Sequence, residues 1–273
     1  MNSKQVALVS GAGRGIGAAT ARELGRLGYH VIVNYLRDAE SAELLVKQIG
    51  AAQAIRADVT DEGQVATLVD RVIAEHGRID VLVGNANTAA PPFGPLEHVP
   101  WAAFAAKVNA ELAGVYHLTR KVLPIMRRRR SGRIVYVSAT AAELIMGSAA
   151  HSTAKAAVNA FALQVAGAAI ADGITVNAVA PGGVGTDATA EVFTDEVRRH
   201  FGDRSVTGSM LRPQDLARPI AALVDGAFAA VTGQIIPVDG GYPLLSQLLD
   251  GLPRSLVALH EPAPLRGRCC ANT

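Results

Sequence analysis

The chain has 273 residues, 49% of them hydrophobic and 18% charged, enough apolar material for a sizeable core. That length suits one large α/β domain, although two smaller ones would also fit. A formal net charge of +2 leaves no basic excess to track a phosphate backbone, which argues against a dedicated nucleic-acid binder.

In chain order, short β-branched runs alternate with longer amphipathic segments. Strands are predicted over residues 6–10, 30–35, 54–59, 81–84, 133–138, 175–180 and 234–238. Helices are predicted over 16–27, 39–49, 61–76, 101–128, 153–171 and 214–222. Strands apolar on both faces and separated by helices imply a parallel sheet covered on both sides, and right-handed crossovers make this a doubly wound, Rossmann-type α/β fold. Residues 1–245 read as a single domain, with no repeat and no linker dividing them, and 246–273 as a loose extension holding at most a short helix near 243–257. The basic run Arg127 to Arg130 reads as the exposed last turn of a helix, where cations complement the dipole. The start of the chain is too short in apolar residues for a secretory segment, and the most apolar stretch, 156–171, contains Asn159 and Gln164, so no membrane span is expected. Cys269 and Cys270 are adjacent in the tail and form no disulfide framework. These features lead to the expectation of a cytoplasmic protein.

The first strand runs directly into Ser10-Gly11-Ala12-Gly13-Arg14-Gly15-Ile16-Gly17 and then a helix. Glycines there permit a tight turn and close backbone approach to a pyrophosphate, and the helix N-terminus offers free N–H groups and a positive dipole end. A glycine cluster alone is weak evidence, but after the first strand of an alternating chain it points to dinucleotide binding.

The spacing Gly11-x-x-x-Gly15-x-Gly17 resembles the short-chain dehydrogenase/reductase family, the 3-oxoacyl-acyl-carrier-protein reductases among them, and further landmarks extend the resemblance along most of the chain. Asp58 and Val59 resemble the segment beneath the adenine, and Asn85-Ala86 the central Asn-Ala after the fourth strand. Pro181, Gly182, Gly183, Val184, Gly185 and Thr186 resemble the loop on the nicotinamide side, and Val238-Asp239-Gly240-Gly241 the closing signature. Asn109, Ser138 and Lys155 fall at three catalytic positions in matching order. The resemblance implies a nicotinamide cofactor, hydride chemistry on a carbonyl or secondary alcohol, and a homotetramer or homodimer built on the helices carrying Asn109 and Lys155.

Cofactor choice turns on the end of the second strand, where an acid would accept the ribose 2′-OH and repel a 2′-phosphate. Neutral Tyr35 stands there, with Arg37 two residues on and Arg14 in the glycine loop, so NADP(H) is expected over NAD(H).

Two places depart from the family pattern. Gly84-Asn85-Ala86-Asn87 stands where the family has Asn-Asn-Ala-Gly, and His151 stands where it has a tyrosine four residues before the lysine. Ser138 keeps its spacing thirteen residues upstream of His151, so the histidine is a true substitution. An imidazole reaches roughly 2 Å less far than a phenol, and beside Lys155 it should be neutral at pH 7, a base rather than an acid. That favours alcohol oxidation or enolisation over carbonyl reduction. Glu143 is the nearest carboxylate in sequence that could reverse this balance, although a loop acid of this kind more often reads as solvated. Three functions are compatible: an NADP-dependent oxidoreductase with an Asn109-Ser138-His151-Lys155 set, a cyclase, dehydratase or isomerase using His151 as base, and a catalytically silent cofactor-binding protein. No metal site is expected. Residues 186–211 read as a lid with Phe193, Val197, Phe201 and Met210, and residues 89–101, with Pro91, Pro92 and Phe93, as further pocket wall.

Overall fold

A computed structural model describes residues 4–144, 147–190 and 193–251. Ile145, Met146, Cys269 and Cys270 lie outside them, as does most of the expected extension. Seven parallel strands form one sheet in the order β3-β2-β1-β4-β5-β6-β7: β1 Val6–Val9, β2 His30–Tyr35, β3 Ala52–Arg56, β4 Val81–Gly84, β5 Gly132–Val137, β6 Ile174–Pro181 and β7 Ile235–Val238. Alternate strand residues face opposite ways. Leu8, Ile32, Leu82, Ile134 and Val176 pack with α3 (Glu62–His76), α4 (Trp101–Arg129) and α5 (Ala149–Ala169). Val9, Val31, Val33, Val83 and Val135 pack with α1 (Gly15–Arg26), α2 (Ala39–Ile49) and α7 (Pro213–Val224). The doubly wound sheet expected from the alternation is therefore the fold, and its order reverses between β1 and β4, where a crevice opens at the carboxyl ends of the strands.

The differences from expectation are local and have local causes. The third strand ends at Arg56 because Asp58 turns the chain: its Oδ1 accepts the Thr60 N–H at 2.9 Å and the Thr60 hydroxyl at 2.7 Å. Helix α5 begins at Ala149, before the expected start at 153, because Ser148 caps it and accepts the His151 N–H. Within the expected lid lies helix α6 (Asp195–Asp203), capped by Thr194. A final helix, α8 (Tyr242–Gly251), covers the first half of the short helix expected near 243–257.

The basic run ends α4 as expected, but it also works as a joint. Arg127 pairs with Asp172 at 2.9 Å and donates to the Ala168 carbonyl at 2.7 Å, and Arg130 donates to that of Ala171 at 2.9 Å, so these arginines hold the end of α5. Contrary to the reading of residues 156–171, the helical run Ala149–Asp172 is long and apolar enough by composition to cross a membrane. One face of it is buried in the domain: Ala154, Val158, Ala162 and Val165 are buried, and it packs on α4 and β6.

At the other end of the sheet, Asp80 locks the start of β1. It is 7% exposed and accepts the Val6 N–H at 2.8 Å and two N–H groups of Arg78 at 2.7 and 2.6 Å. Replacing it leaves a buried donor and a cation without this acceptor. Asp80→Ala is expected to lower unfolding stability by about 2–3 kcal/mol, the scale of charged hydrogen bonds, read as a lower urea midpoint with unchanged slope. A midpoint equal to wild type would show that the lock carries no stability.

Candidate active site

The glycine loop is held from behind by two asparagines. Asn34, 1% exposed on β2, accepts the Gly11 N–H at 3.3 Å and donates to the Ala57 carbonyl at 3.0 Å. Asn85, just past β4, donates to the carbonyls of Ser10 at 2.9 Å and Gly11 at 3.1 Å. Ala86 closes the same contact: a Cβ on Gly11 would come within 2.8 Å of its Cα. A Cβ on Gly17 would meet the Gly11 oxygen and Asn85 Nδ2, both at 2.5 Å, and Gly11 and Gly15 hold φ of 59° and 57°. Glycine is thus required at Gly11 and Gly17 by space and at Gly11 and Gly15 by backbone.

In front of this cradle, Gly15 and Ile16 begin α1, which has no side-chain cap and no acid in its first turn, so its leading N–H groups are left for an anion. A cavity of about 480 Å³ opens beside them, lined by Gly13, Arg14, Gly15, Arg22, Thr186 and Arg198 among others. The donor set and the close backbone fit the pyrophosphate of a dinucleotide. Tyr35 ends β2, with Arg37 and Arg14 exposed beside this end of the cradle. Arg56 joins them, being paired with Tyr35 in register and donating to the Leu36 carbonyl at 3.0 Å. The nearby acid, Asp38, caps α2 by accepting the Ser41 N–H at 2.9 Å. Asp58 and Val59 lie where β3 leaves the sheet, Val59 buried and the Asp58 carboxylate held by Thr60.

Across the crevice, Pro181 ends β6 and accepts the Thr140 hydroxyl at 3.2 Å. Gly182 lies against Asp239, where a Cβ would approach to 2.7 Å, and Val184 is buried. Thr186 sits over Gly15, 3.6 Å from where a Cβ would be. The expected lid contributes a ring cluster: Phe193 and Phe201 have centroids 5.7 Å apart, and Phe201 lies 4.8 Å from Tyr242.

The chemical groups come from β5, α4 and α5. Ser138, 3% exposed, follows β5 and donates to the Lys155 carbonyl at 3.3 Å. His151 stands half-buried on the first turn of α5, and Lys155 lies one turn further along. The Lys155 ammonium donates to the Val137 carbonyl at 2.9 Å and to Glu111 Oε1 at 2.5 Å. The other oxygen of Glu111 accepts from Lys107 at 2.6 Å, and Lys107 also donates to Asn87 Oδ1 at 2.5 Å and the Ala89 carbonyl at 2.9 Å. Lys107 and Glu111 are 0% and 3% exposed. Burial alone would raise the Glu111 carboxyl, but the two ammonium groups outweigh it and hold it down to about 2.

This arrangement corrects one expectation and agrees with another. Asn109 is exposed on α4, and the residue of that helix that reaches Lys155 is Glu111. Glu143 is exposed, as its reading as a solvated loop residue expects, and the carboxylate whose field reaches His151 is again Glu111. Residues two apart on a helix lie on opposite faces, so Asn109 and Glu111 could not both have faced the site. The signal for the right choice was the pair Lys107 and Glu111, four apart on one face of an otherwise apolar segment.

The neutral imidazole expected at position 151 follows from the same geometry. Burial, then Lys155 and Lys107, push His151 down to about 4, opposed only by Glu111. Its Nδ1 is buried and has no hydrogen-bond partner among the described residues. The unusual sequence at Gly84 and Asn87 also has causes. A Cβ at 84 would come within 2.8 Å of the Tyr136 ring, and Asn87 supplies the acceptor for Lys107.

Residues 11–243 match the family model described as enoyl-(acyl carrier protein) reductase. The chain is 39% identical over 243 residues to cis-4-hydroxycyclohexanecarboxylate dehydrogenase of Sinomonas cyclohexanicum, covering 88% of this chain and 97% of that protein. It is 37% identical to a 3-oxoacyl-[acyl-carrier-protein] reductase of Synechocystis, covering 87% and 96%. Among solved structures it is similar to a 7α-hydroxysteroid dehydrogenase in complex with NADH and 7-oxo glycochenodeoxycholic acid, at TM-score 0.82, 30% identity and coverage of 88% and 94%. It is also similar to Pseudomonas aeruginosa RhlG with NADP, at TM-score 0.80, 27% identity and coverage of 88% and 97%. With the cofactor cradle, the parallel sheet and these relatives in agreement, the chain belongs to the short-chain dehydrogenase/reductase family and is an NAD(P)-dependent oxidoreductase.

Proposed function

We propose that the protein is an NADP-preferring dehydrogenase that oxidises a secondary alcohol, with His151 as its general base. The observation that carries this is the neutral, half-buried imidazole one turn before a buried lysine. When bound, an oxidised nicotinamide supplies the hydride acceptor. His151 takes the hydroxyl proton, Ser138 orients the substrate oxygen after its hydroxyl turns from the Lys155 carbonyl, and Lys155 holds the cofactor ribose. The imidazolium formed is repelled by Lys155 and releases its proton readily, which favours turnover in the oxidative direction.

Phe93, Leu96 and Trp101, exposed apolar residues within the segment read as pocket wall, support an apolar substrate. Relatives named for hydroxycyclohexanecarboxylate and hydroxysteroid substrates support a hydroxylated ring. Tyr116 on α4 and Leu163 on α5, each 47% exposed, support self-association as a homotetramer or homodimer. Three arginines around Tyr35 support NADP.

Four outcomes are expected. NADPH should bind more tightly than NADH by fluorescence titration, and Arg37→Ala should narrow the ratio by roughly tenfold, the scale of one charge-assisted bond. Equal dissociation constants in the wild type would refute the preference. Against a panel of cyclic secondary alcohols with NADP⁺, His151→Gln should lower kcat by about 10²–10⁴-fold. The acid limb of kcat/KM should lie near the His151 value of about 4, because the base works only when deprotonated. Wild-type kcat in the Gln variant, or substrate conversion without cofactor reduction, would overturn the reading.

A further inference from the structure

We propose that Lys107 is a positioning residue that works through Glu111: the buried Lys107–Glu111–Lys155 bridge fixes where Lys155 sits and which charge His151 faces. The inference rests on His151 acting as the base and adds the device that governs it.

The geometry is specific. Lys107 is fully buried, and all three donors of its ammonium are engaged, by Asn87, Ala89 and Glu111. The carboxylate gives one oxygen to each lysine, so it cannot follow either without losing the other. Lys155 is anchored on its far side by the Val137 carbonyl. Two ammonium groups and one carboxylate leave one net positive charge behind His151. Without Lys107 the remaining Glu111–Lys155 pair would be neutral. A single cation is therefore added to the site by a fully buried residue whose ammonium donors are all held by the protein.

The charges around His151 are few. Its own helix contributes Lys155, and α4 contributes Lys107 and Glu111. The segment after β4 offers neutral Asn87 and Thr88, and the end of β5 neutral Ser138. β6, which also packs on α5, has no titratable side chain. Glu143 ahead of α5 is exposed, and Asp172 beyond its far end is paired with Arg127. Removing the Lys107 charge should therefore make protonation of His151 easier, and Glu111, no longer shared, should add to that effect.

The test uses the full chain with and without NADP⁺. Histidine side-chain NMR resonances are assigned to His151 by comparison with His151→Gln, and the imidazole is titrated alongside the pH profile of alcohol oxidation. Lys107→Gln retains donors for Asn87 and Ala89 without the charge, Lys107→Met removes both, and Lys107→Arg keeps the charge. The Gln variant, and Met if it folds, should raise the His151 midpoint and the acid limb together by roughly one pH unit. Arg should leave both near wild type. An unmoved His151 midpoint in the Gln variant overturns the role of Lys107 while leaving His151 as base. An acid limb that does not track the His151 midpoint in the wild type overturns the base assignment instead.

Discussion

One carboxylate held between two ammonium groups organises the α4–α5 side of the candidate site. Glu111 is buried at the junction of α4, α5 and the segment after β4, and Lys107, Lys155 and Asn87 are arranged around it. A lone buried charge costs several kcal/mol, so Glu111 depends on its lysine partners. The lysines in turn need the remaining acceptors, which Asn87, Ala89 and Val137 supply. The hydrophobic sheet provides a dry floor for this arrangement, and the dry floor strengthens each of its bonds.

The cofactor half depends on a different constraint, the exclusion of side-chain volume. Gly11 and Gly17 have no room for a methyl group because Ala86, Asn85 and the loop's own carbonyl stand behind them. Asn34 and Asn85 tie that loop to β2 and β4, the strands flanking β1, so the anion-binding end of α1 sits on the sheet rather than on a mobile turn. The two halves meet at Asn85-Ala86-Asn87, where three successive residues serve the pyrophosphate cradle and the charge bridge.

Most of the fold was legible because strands buried on both faces and amphipathic helices leave unmistakable periods in the sequence. The cofactor cradle was legible for a related reason: glycines forced by contact cannot be disguised. His151 could be singled out because its spacing from Ser138 and Lys155 is rigid along one strand and one helix. The partner of Lys155 on α4 was harder to single out. Choosing between Asn109 and Glu111 required knowing which face of a long helix turns inward, and that helix has apolar residues on several sides. The early start of α5 was hidden likewise, since Ser148 caps without the acidic residue that usually marks such a position.

The mutual dependence of Asn87, Lys107 and Glu111 also bears on how such a site could change over time. Any one of them altered alone strands a buried charge or an unmet donor, at a cost of about 3–5 kcal/mol where a buried pair is broken. That is a large share of the total stability of an ordinary domain. Single steps are therefore costly in both directions, and a lineage that acquired this trio would tend to keep it as a unit while the surrounding surface varies.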